Sequence, residues 1–193
     1  MRATELLTQQ FRSGNIILHD IAADLTDAEW TTCFLPGTNL PGFDLWHIAR
    51  AQDWAVQTLA RGVPEVLYAP TWANLSASAA YGIGIGLTSD EADALAFHIQ
   101  KHDVLAYADA VHREILAWLA TIDDALLDTT PDIAQHYAAH PEYQTAAMVE
   151  EVPWLATNPP MWRCLAPGIG HVRDHLAEID LAKRCYRQSA ARG

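Results

Sequence analysis

The chain has 193 residues, half of them apolar and 19% charged, and its formal net charge is −12. This length and composition are typical of one globular domain, which we expect to span residues 1–193. Only 12 Lys and Arg stand against 24 Asp and Glu, so nucleic acids and anionic membranes are not expected partners.

Targeting signals are not apparent in the sequence. The N-terminus lacks a basic run followed by an apolar block, and no run of about 18 apolar residues follows. The three cysteines lie at no metal-ligand spacing, a pattern typical of proteins in a reducing compartment. We therefore predict a cytoplasmic protein.

Four stretches repeat apolar residues every three to four positions, which indicates helices. They cover about residues 3–25, 40–61, 88–122 and 168–187. Four amphipathic helices around one core predict an all-α fold, a four-helix bundle of antiparallel type. The linkers after the second and third helices, 62–87 and 123–158, are long for a bundle, and long loops often cover a functional site.

Local signals refine the starts of two helices. Asn39 or Asp44 is expected to cap the second helix, and Thr88 with Glu91 has the spacing of a capping box at the start of the third. The "GIGIG" segment just before Thr88 has the glycines of a phosphate loop but follows no β-strand. We interpret it as a flexible hinge.

Three histidine pairs have the i,i+4 spacing that places two imidazoles on one helix face. The pair His98/His102 lies beside Lys101, which repels a cation, and His136/His140 lies in the least regular region of the chain. The third pair is in "GHVRDHLAEI", where His171, His175 and Glu178 form a narrow stripe beside the apolar face. We expect something to meet these two imidazoles, because a buried pair without a partner is costly.

His47, in "LWHIARAQDW", is the best candidate in the sequence for a third metal ligand. It lies with Ala51 and Trp54 at the edge of the second helix's apolar face, whereas Arg50, Asp53 and Gln57 are expected to point elsewhere. A lone histidine in such a position is also typical of a packed core.

Two motifs carry a resemblance to a known family. "NLPGFDLWHIARAQDW" resembles the second-helix signature of the DinB/YfiT-like family of predicted metal-dependent enzymes, and "GHVRDHLAEI" resembles its fourth-helix motif. The likeness extends over residues 5–186 but is weaker in the third helix and the loop before it. It implies a four-helix bundle in the mirror variant of the up-and-down topology, with a divalent ion held by His47, His171 and His175.

The chain also departs from the family's pattern. Gln52 stands where relatives often carry Glu, and this buried amide is expected to hydrogen-bond to a partner. Asp44 lies three residues before His47, where it either orients a ligand or serves as an acid at the helix start. In the 62–87 linker, Trp72 and Tyr81 are expected to face the substrate or to pack over the bundle end.

Three imidazoles with an open position are typical of catalytic zinc, and nickel or iron also accept them. Such an ion lowers the pKa of a bound water or thiol, and Glu178 is the candidate general base. These residues and the resemblance lead us to expect a metal-dependent transferase or isomerase that uses a low-molecular-weight thiol, or a hydrolase, acting on a small molecule. The alternatives are a non-catalytic metal- or ligand-binding homodimer and a protein whose histidines are only structural.

Overall fold

The computed structural model describes residues 1–192, which are helical and contain no β-strand. The all-α prediction is therefore confirmed, but these residues form more helices than the four predicted. The long ones are α1 (Ala3–Asp24), α2 (Pro41–Asp53), α3 (Ser89–His98), α4 (Lys101–Leu119) and α5 (Gly170–Ala190).

The predicted helix at 88–122 is wrong in one respect, because it is broken into α3 and α4. Ile99 and Gln100 have extended backbone between the two helices. Ile99 is buried, and its carbonyl accepts a hydrogen bond from the Trp30 indole at 3.3 Å. The break therefore coincides with a contact between segments far apart in the chain, which helical periodicity does not reveal. The Thr88–Glu91 capping box at the start of α3 is confirmed.

Both long linkers are built from short helical turns. Those between α2 and α3 are Val66–Tyr68, Pro70–Trp72, Ala73–Ser76 and Ala77–Tyr81. Those between α4 and α5 are Asp124–Leu127, Ile133–Ala138, Pro141–Tyr143, Ala146–Glu151, Pro153–Thr157, Met161–Leu165 and Ala166–Gly168. One more short helix, Asp27–Trp30, follows α1. The linkers therefore form an ordered layer around the long helices.

The long helices share one hydrophobic core. α1 packs against α4 and α5, and α2 packs against the same two helices. The end of α5 is tied to the end of α1 by Arg187, which donates to Asp24 at 2.9 Å and to Glu29 at 2.7 Å. No helix within residues 1–192 is both long enough and apolar enough to cross a membrane.

α2 is the most enclosed element. It continues without a break into π-helical turns at Trp54–Arg61, and every residue from 40 to 60 is buried. Arg50, Asp53 and Gln57, which the sequence places on a different face from His47, are therefore buried as well. The linker layer covers the face that an isolated bundle helix would expose to water, so polar side chains on that face are also enclosed.

Candidate metal centre

Three histidines from opposite ends of the chain meet between α2 and α5. His47 lies on α2, and His171 and His175 lie one turn apart at the start of α5. Among residues 1–192 these are the His, Cys, Asp or Glu side chains whose ligand atoms lie close enough together, all within 4.8 Å, to hold one ion. The structure thus brings together the three residues predicted from the sequence.

The three Nε2 atoms point at one another. His47 Nε2 lies 2.8 Å from His171 Nε2, which lies 3.2 Å from His175 Nε2. The rings are nearly perpendicular in each pair, with centroids 4.4–5.0 Å apart. Nitrogens that bind zinc at about 2.0–2.1 Å in a tetrahedron lie about 3.3 Å apart. These two separations are therefore slightly shorter than those expected around zinc.

The hydrogen-bond partners of the outer ring nitrogens, the Nδ1 atoms, determine which ring nitrogen carries the proton. His47 Nδ1 donates to the carbonyl of Ile83, and His175 Nδ1 donates to Glu178 Oε2 at 2.9 Å. Because both partners are acceptors, these two imidazoles present a lone pair at Nε2 when they are neutral. His171 Nε2 carries at most one proton, so it can donate to only one of these two Nε2 atoms at a time. Lone pairs that converge in this way fit a cation, and the outer bonds are those that orient metal-binding histidines.

Burial keeps the cluster in the form that binds a metal. Burial lowers the pKa of His47 to about 3, with a smaller contribution from the two neighbouring histidines. The pKa of His171 is also lowered, first by burial and then by His175. Neutral imidazoles are the metal-binding form, so His47 and His171 need not lose a proton at pH 7.

Gln52 aligns the two helices that carry the histidines. Its side chain is buried, and its Nε2 donates to the carbonyl of Gly168 at 3.1 Å, which confirms the predicted hydrogen bond. Gly168 lies just before α5, two residues from its first residue. The amide thereby fixes the start of α5 against α2, one turn from His47.

Asp44 and Glu178 lie on the side of the cluster nearest His175. Asp44 is in the first turn of α2 and accepts from Asn39 Nδ2 at 2.9 Å, so neither residue caps the helix as predicted. Burial raises the pKa of Asp44 to about 6. Glu178 is exposed and binds His175 through a single carboxylate oxygen. Both residues line a cavity of about 300 Å³ outside the cluster.

The "GIGIG" segment has a role that the hinge interpretation missed. The carbonyl of Ile83 orients His47, and the carbonyl of the preceding residue, Gly82, accepts from Arg50 Nε at 3.1 Å. Gly84 has a φ of +95°, and a Cβ at this position would lie 2.9 Å from the Phe43 ring. Glycine therefore lets the loop lie against α2, where its backbone reaches His47.

Arg50 is the centre of a second buried cluster, which sequence reasoning missed. Its Nη1 and Nη2 donate to the hydroxyls of Tyr107 and Tyr143 at 3.1 and 2.7 Å. Those hydroxyls donate in turn to Asp53 and Glu65, each at 2.6 Å. Arg50 Nη1 also forms an ion pair with a Glu65 oxygen at 2.7 Å. We call these five residues the Arg50 network.

The network carries one cation for two carboxylates. Burial, followed by the neighbouring Glu65, raises the pKa of Asp53 to about 6. Asp53 also accepts from the backbone N–H groups of Val66 and Leu67, at 3.0 and 3.1 Å. The network therefore fastens the first linker to α2 and, through Tyr143, the second linker as well. Arg50 lies three residues after His47, but nothing in the sequence pattern around it indicates that its side chain is buried.

A cavity of about 330 Å³ opens beside His171. Its walls include Trp54 of the π-helical turns, Ile83 and Ile85 of the glycine-rich segment, and Val152 and Trp154 of the second linker. Both linkers thus contribute to the space next to the histidines. A larger groove of about 610 Å³ between α1 and α5 has no histidine in its lining.

The two predicted aromatics do not line the cavity beside His171. Trp72 packs edge-on against Tyr107 of the Arg50 network, with ring centroids 5.7 Å apart, and Tyr81 is exposed on the surface. The aromatic walls of this cavity are Trp54 and Trp154 instead.

The other histidine pairs form no such cluster among the described residues. His98 ends α3 and His102 lies in α4, so the break at Ile99 removes their helical spacing. His136 Nδ1 bonds the Leu59 carbonyl, and His140 Nδ1 bonds Glu142 at 2.8 Å.

No protein-family model matches the chain, and no curated protein is found to match it. The resemblance to the DinB/YfiT-like family therefore depends on the sequence motifs, chiefly those around His47 and His171.

Proposed function

We propose that the protein is a metal-dependent enzyme of the thiol-dependent transferase or isomerase type, or of the hydrolase type. It holds one divalent ion, zinc, nickel or iron, on His47, His171 and His175. In this proposal the long helices form the four-helix bundle of the DinB/YfiT-like family, and the substrate is a small molecule. The convergence of three Nε2 atoms, with two of the outer nitrogens already bonded to acceptors, supports it most directly.

The chemistry needs an activated nucleophile at neutral pH. When bound, a divalent ion on three imidazoles lowers the pKa of a water or thiol that joins it. Ile83 and Glu178 hold two of the rings in the required tautomer, and burial keeps His47 neutral. The cavity beside His171 gives a small molecule access to the cluster. Glu178 contacts the outer nitrogen of His175, so its role in this proposal is to orient that ring.

Metal analysis of untagged protein tests the metal site. We expect about one equivalent of divalent metal in the wild type, and loss of that metal in His47→Ala and His171→Ala. His98→Ala is the matched control, because His98 is exposed and lies outside the cluster. A wild type that takes up no metal after reconstitution with zinc, nickel or iron would contradict the proposal.

Catalysis is tested separately on the metal-loaded protein. Electrophiles are screened with and without low-molecular-weight thiols, alongside ester and amide substrates for hydrolysis. Turnover that disappears in His171→Ala supports the enzyme. A loaded protein inert throughout favours the alternative, a non-catalytic binding protein that dimerises. Ile16, Ile17 and Leu181, apolar and exposed on α1 and α5, favour that alternative as interface residues.

A further inference from the structure

The cavity beside His171 carries three charged side chains. Glu151 and Asp174 contribute carboxylates, and Arg163 contributes a guanidinium. Both carboxylates are near enough to His171 to oppose the lowering of its pKa by burial. The guanidinium lies over the ring of Trp154, with its Cζ 4.8 Å from the ring centroid. The charges therefore surround the same small space as the metal ligand.

These three charges are unpaired within the protein. In the described part of the chain, none of them lies within 4 Å of an opposite charge or makes a side-chain hydrogen bond. Nearby on α5, Lys183, Arg184 and Arg187 all pair with acidic residues. Stacking on Trp154 also restrains the guanidinium without using its N–H donors. All three residues are exposed, so two anions and one cation at the mouth of the cavity are free to meet a ligand.

From this arrangement we infer that the site takes a small zwitterion of the amino-acid type. Its ammonium faces Glu151 and Asp174, its carboxylate faces Arg163, and a third group reaches the ion held by the histidines. A purely anionic ligand would face two carboxylates, and a purely cationic one would face the guanidinium. The volume of about 330 Å³ is at the small end of the range for ligand sites, about 300–1,000 Å³. This inference rests on the proposed metal site.

Three small thiols test the two charges of such a ligand one at a time. Cysteamine carries the ammonium, 3-mercaptopropionate carries the carboxylate, and 2-mercaptoethanol carries neither. Each thiolate binds cobalt(II) and produces a charge-transfer absorption, so a titration of cobalt-loaded protein reports its affinity without any turnover. Low ionic strength keeps the charges at the cavity mouth unscreened.

The variants remove the negative and the positive charges of the cavity separately. Glu151→Gln combined with Asp174→Asn is expected to weaken cysteamine binding about fivefold, and Arg163→Gln to weaken 3-mercaptopropionate binding about threefold, as for partly solvated charge pairs. Neither variant should weaken 2-mercaptoethanol. Glu150→Gln and Arg173→Gln are the matched controls, because both residues are exposed like the three tested residues but lie outside this cavity. They should change none of the three affinities.

The outcomes distinguish this inference from the proposed function. If the wild type binds cobalt but the variants affect all three thiols alike, or no more than the controls do, the zwitterion site is wrong and the metal centre stands. If the wild type binds no cobalt, both are wrong. Cobalt content measured after each titration shows that a lost signal reflects weaker thiol binding and not removal of the ion.

Discussion

His47 and Arg50 lie three residues apart on α2, both buried, and each is the centre of a polar cluster. The Arg50 network contains its own cation, and hydroxyls and backbone groups satisfy most of its acceptors. In the histidine cluster, three imidazoles turn their Nε2 atoms towards one another. Because an unpaired buried polar group is costly, we expect the Arg50 network to serve the fold, and we propose that the histidine cluster serves to bind an ion.

The same comparison extends to the linkers. The Arg50 network fixes the first linker through Gly82, Val66 and Leu67, and the next residue after Gly82 orients His47. The Arg50 network therefore supports the geometry of the histidine cluster. Four predictions, from the largest expected effect to the smallest, test whether the two clusters differ in this way.

Removal of the buried cation should have the largest effect. Arg50→Met leaves Asp53 and Glu65 buried without a counter-charge and should lower the free energy of unfolding by about 3–5 kcal/mol. Urea unfolding of the apo protein measures this loss. Arg173→Met removes an exposed arginine and should cost less than about 0.5 kcal/mol. A similar loss in the two variants would show that the network does not stabilise the fold.

Stabilisation by metal should depend on His47. Zinc at about 100 times its Kd should raise the free energy of unfolding of the wild type by about 2.7 kcal/mol. In His47→Ala the same zinc concentration should have little effect, because one of the three ligands is missing. Unfolding with zinc and with chelator gives the two values for each protein, and His98→Ala should respond as the wild type does. An equal response in His47→Ala would exclude this cluster as the binding site.

Acidification should destabilise the histidine cluster. The pKa of His47 is about 3 in the folded protein, against 6.5 for an unperturbed histidine. Below pH 6.5 the unfolded chain takes up a proton that the folded protein does not, so stability falls as the pH falls towards 3, by about 1.4 kcal/mol per pH unit.

Asp44 and Asp53 act in the opposite direction. Their raised pKa values, about 6 against 3.8, mean that the folded protein binds the extra proton between those limits, and their contribution to stability is lost as the pH rises through 6. The wild type must therefore be compared with His47→Ala, in chelator, between pH 6.5 and 5. A shallower loss of stability on acidification is expected in the variant; parallel curves would argue against a neutral, buried His47.

Loss of the carboxylate that orients His175 should have the smallest effect. Glu178→Gln keeps the size of the side chain but replaces a charged acceptor, and it should weaken metal binding about tenfold. Because Glu178 is exposed, we expect a loss of affinity at the lower end of the range for residues that hydrogen-bond to a metal-binding histidine. Competition with a chromophoric chelator measures the affinity, with Glu150→Gln as the control. An unchanged affinity would mean that Glu178 forms only a surface ion pair.

The histidine site was the part of the molecule most open to prediction. The i,i+4 spacing of His171 and His175 is a local property, and the helical stripe that contains them also contains Glu178. His47 could be named only with the help of the resemblance, since a single histidine on an apolar face has no local feature that marks it as a ligand. The sequence indicated that Gln52 has a hydrogen-bond partner. The identity of that partner, the carbonyl of Gly168, depends on how α5 approaches α2.

The Arg50 network could not be predicted, because its members come from α2, α4 and both linkers. Arg50 and Asp53 read as residues of a solvated helix face. They are buried because the linkers cover that face, and a sequence pattern does not show where a linker packs. Trp72 and Trp154 illustrate the same limit: both are linker tryptophans, and only packing decided that Trp154 lines the cavity.

The sequence alone determined that the chain is helical, where four of the five long helices begin to within about two residues, and that His171 and His175 share a helix face. Those features follow from periodicity and capping over a few residues, where backbone geometry fixes the outcome. Tertiary structure decided that Ile99 interrupts a helix, that α2 is enclosed on every side, and that a glycine-rich loop meets His47. Each of these depends on contacts between segments far apart in the chain, and local propensity holds no information about them.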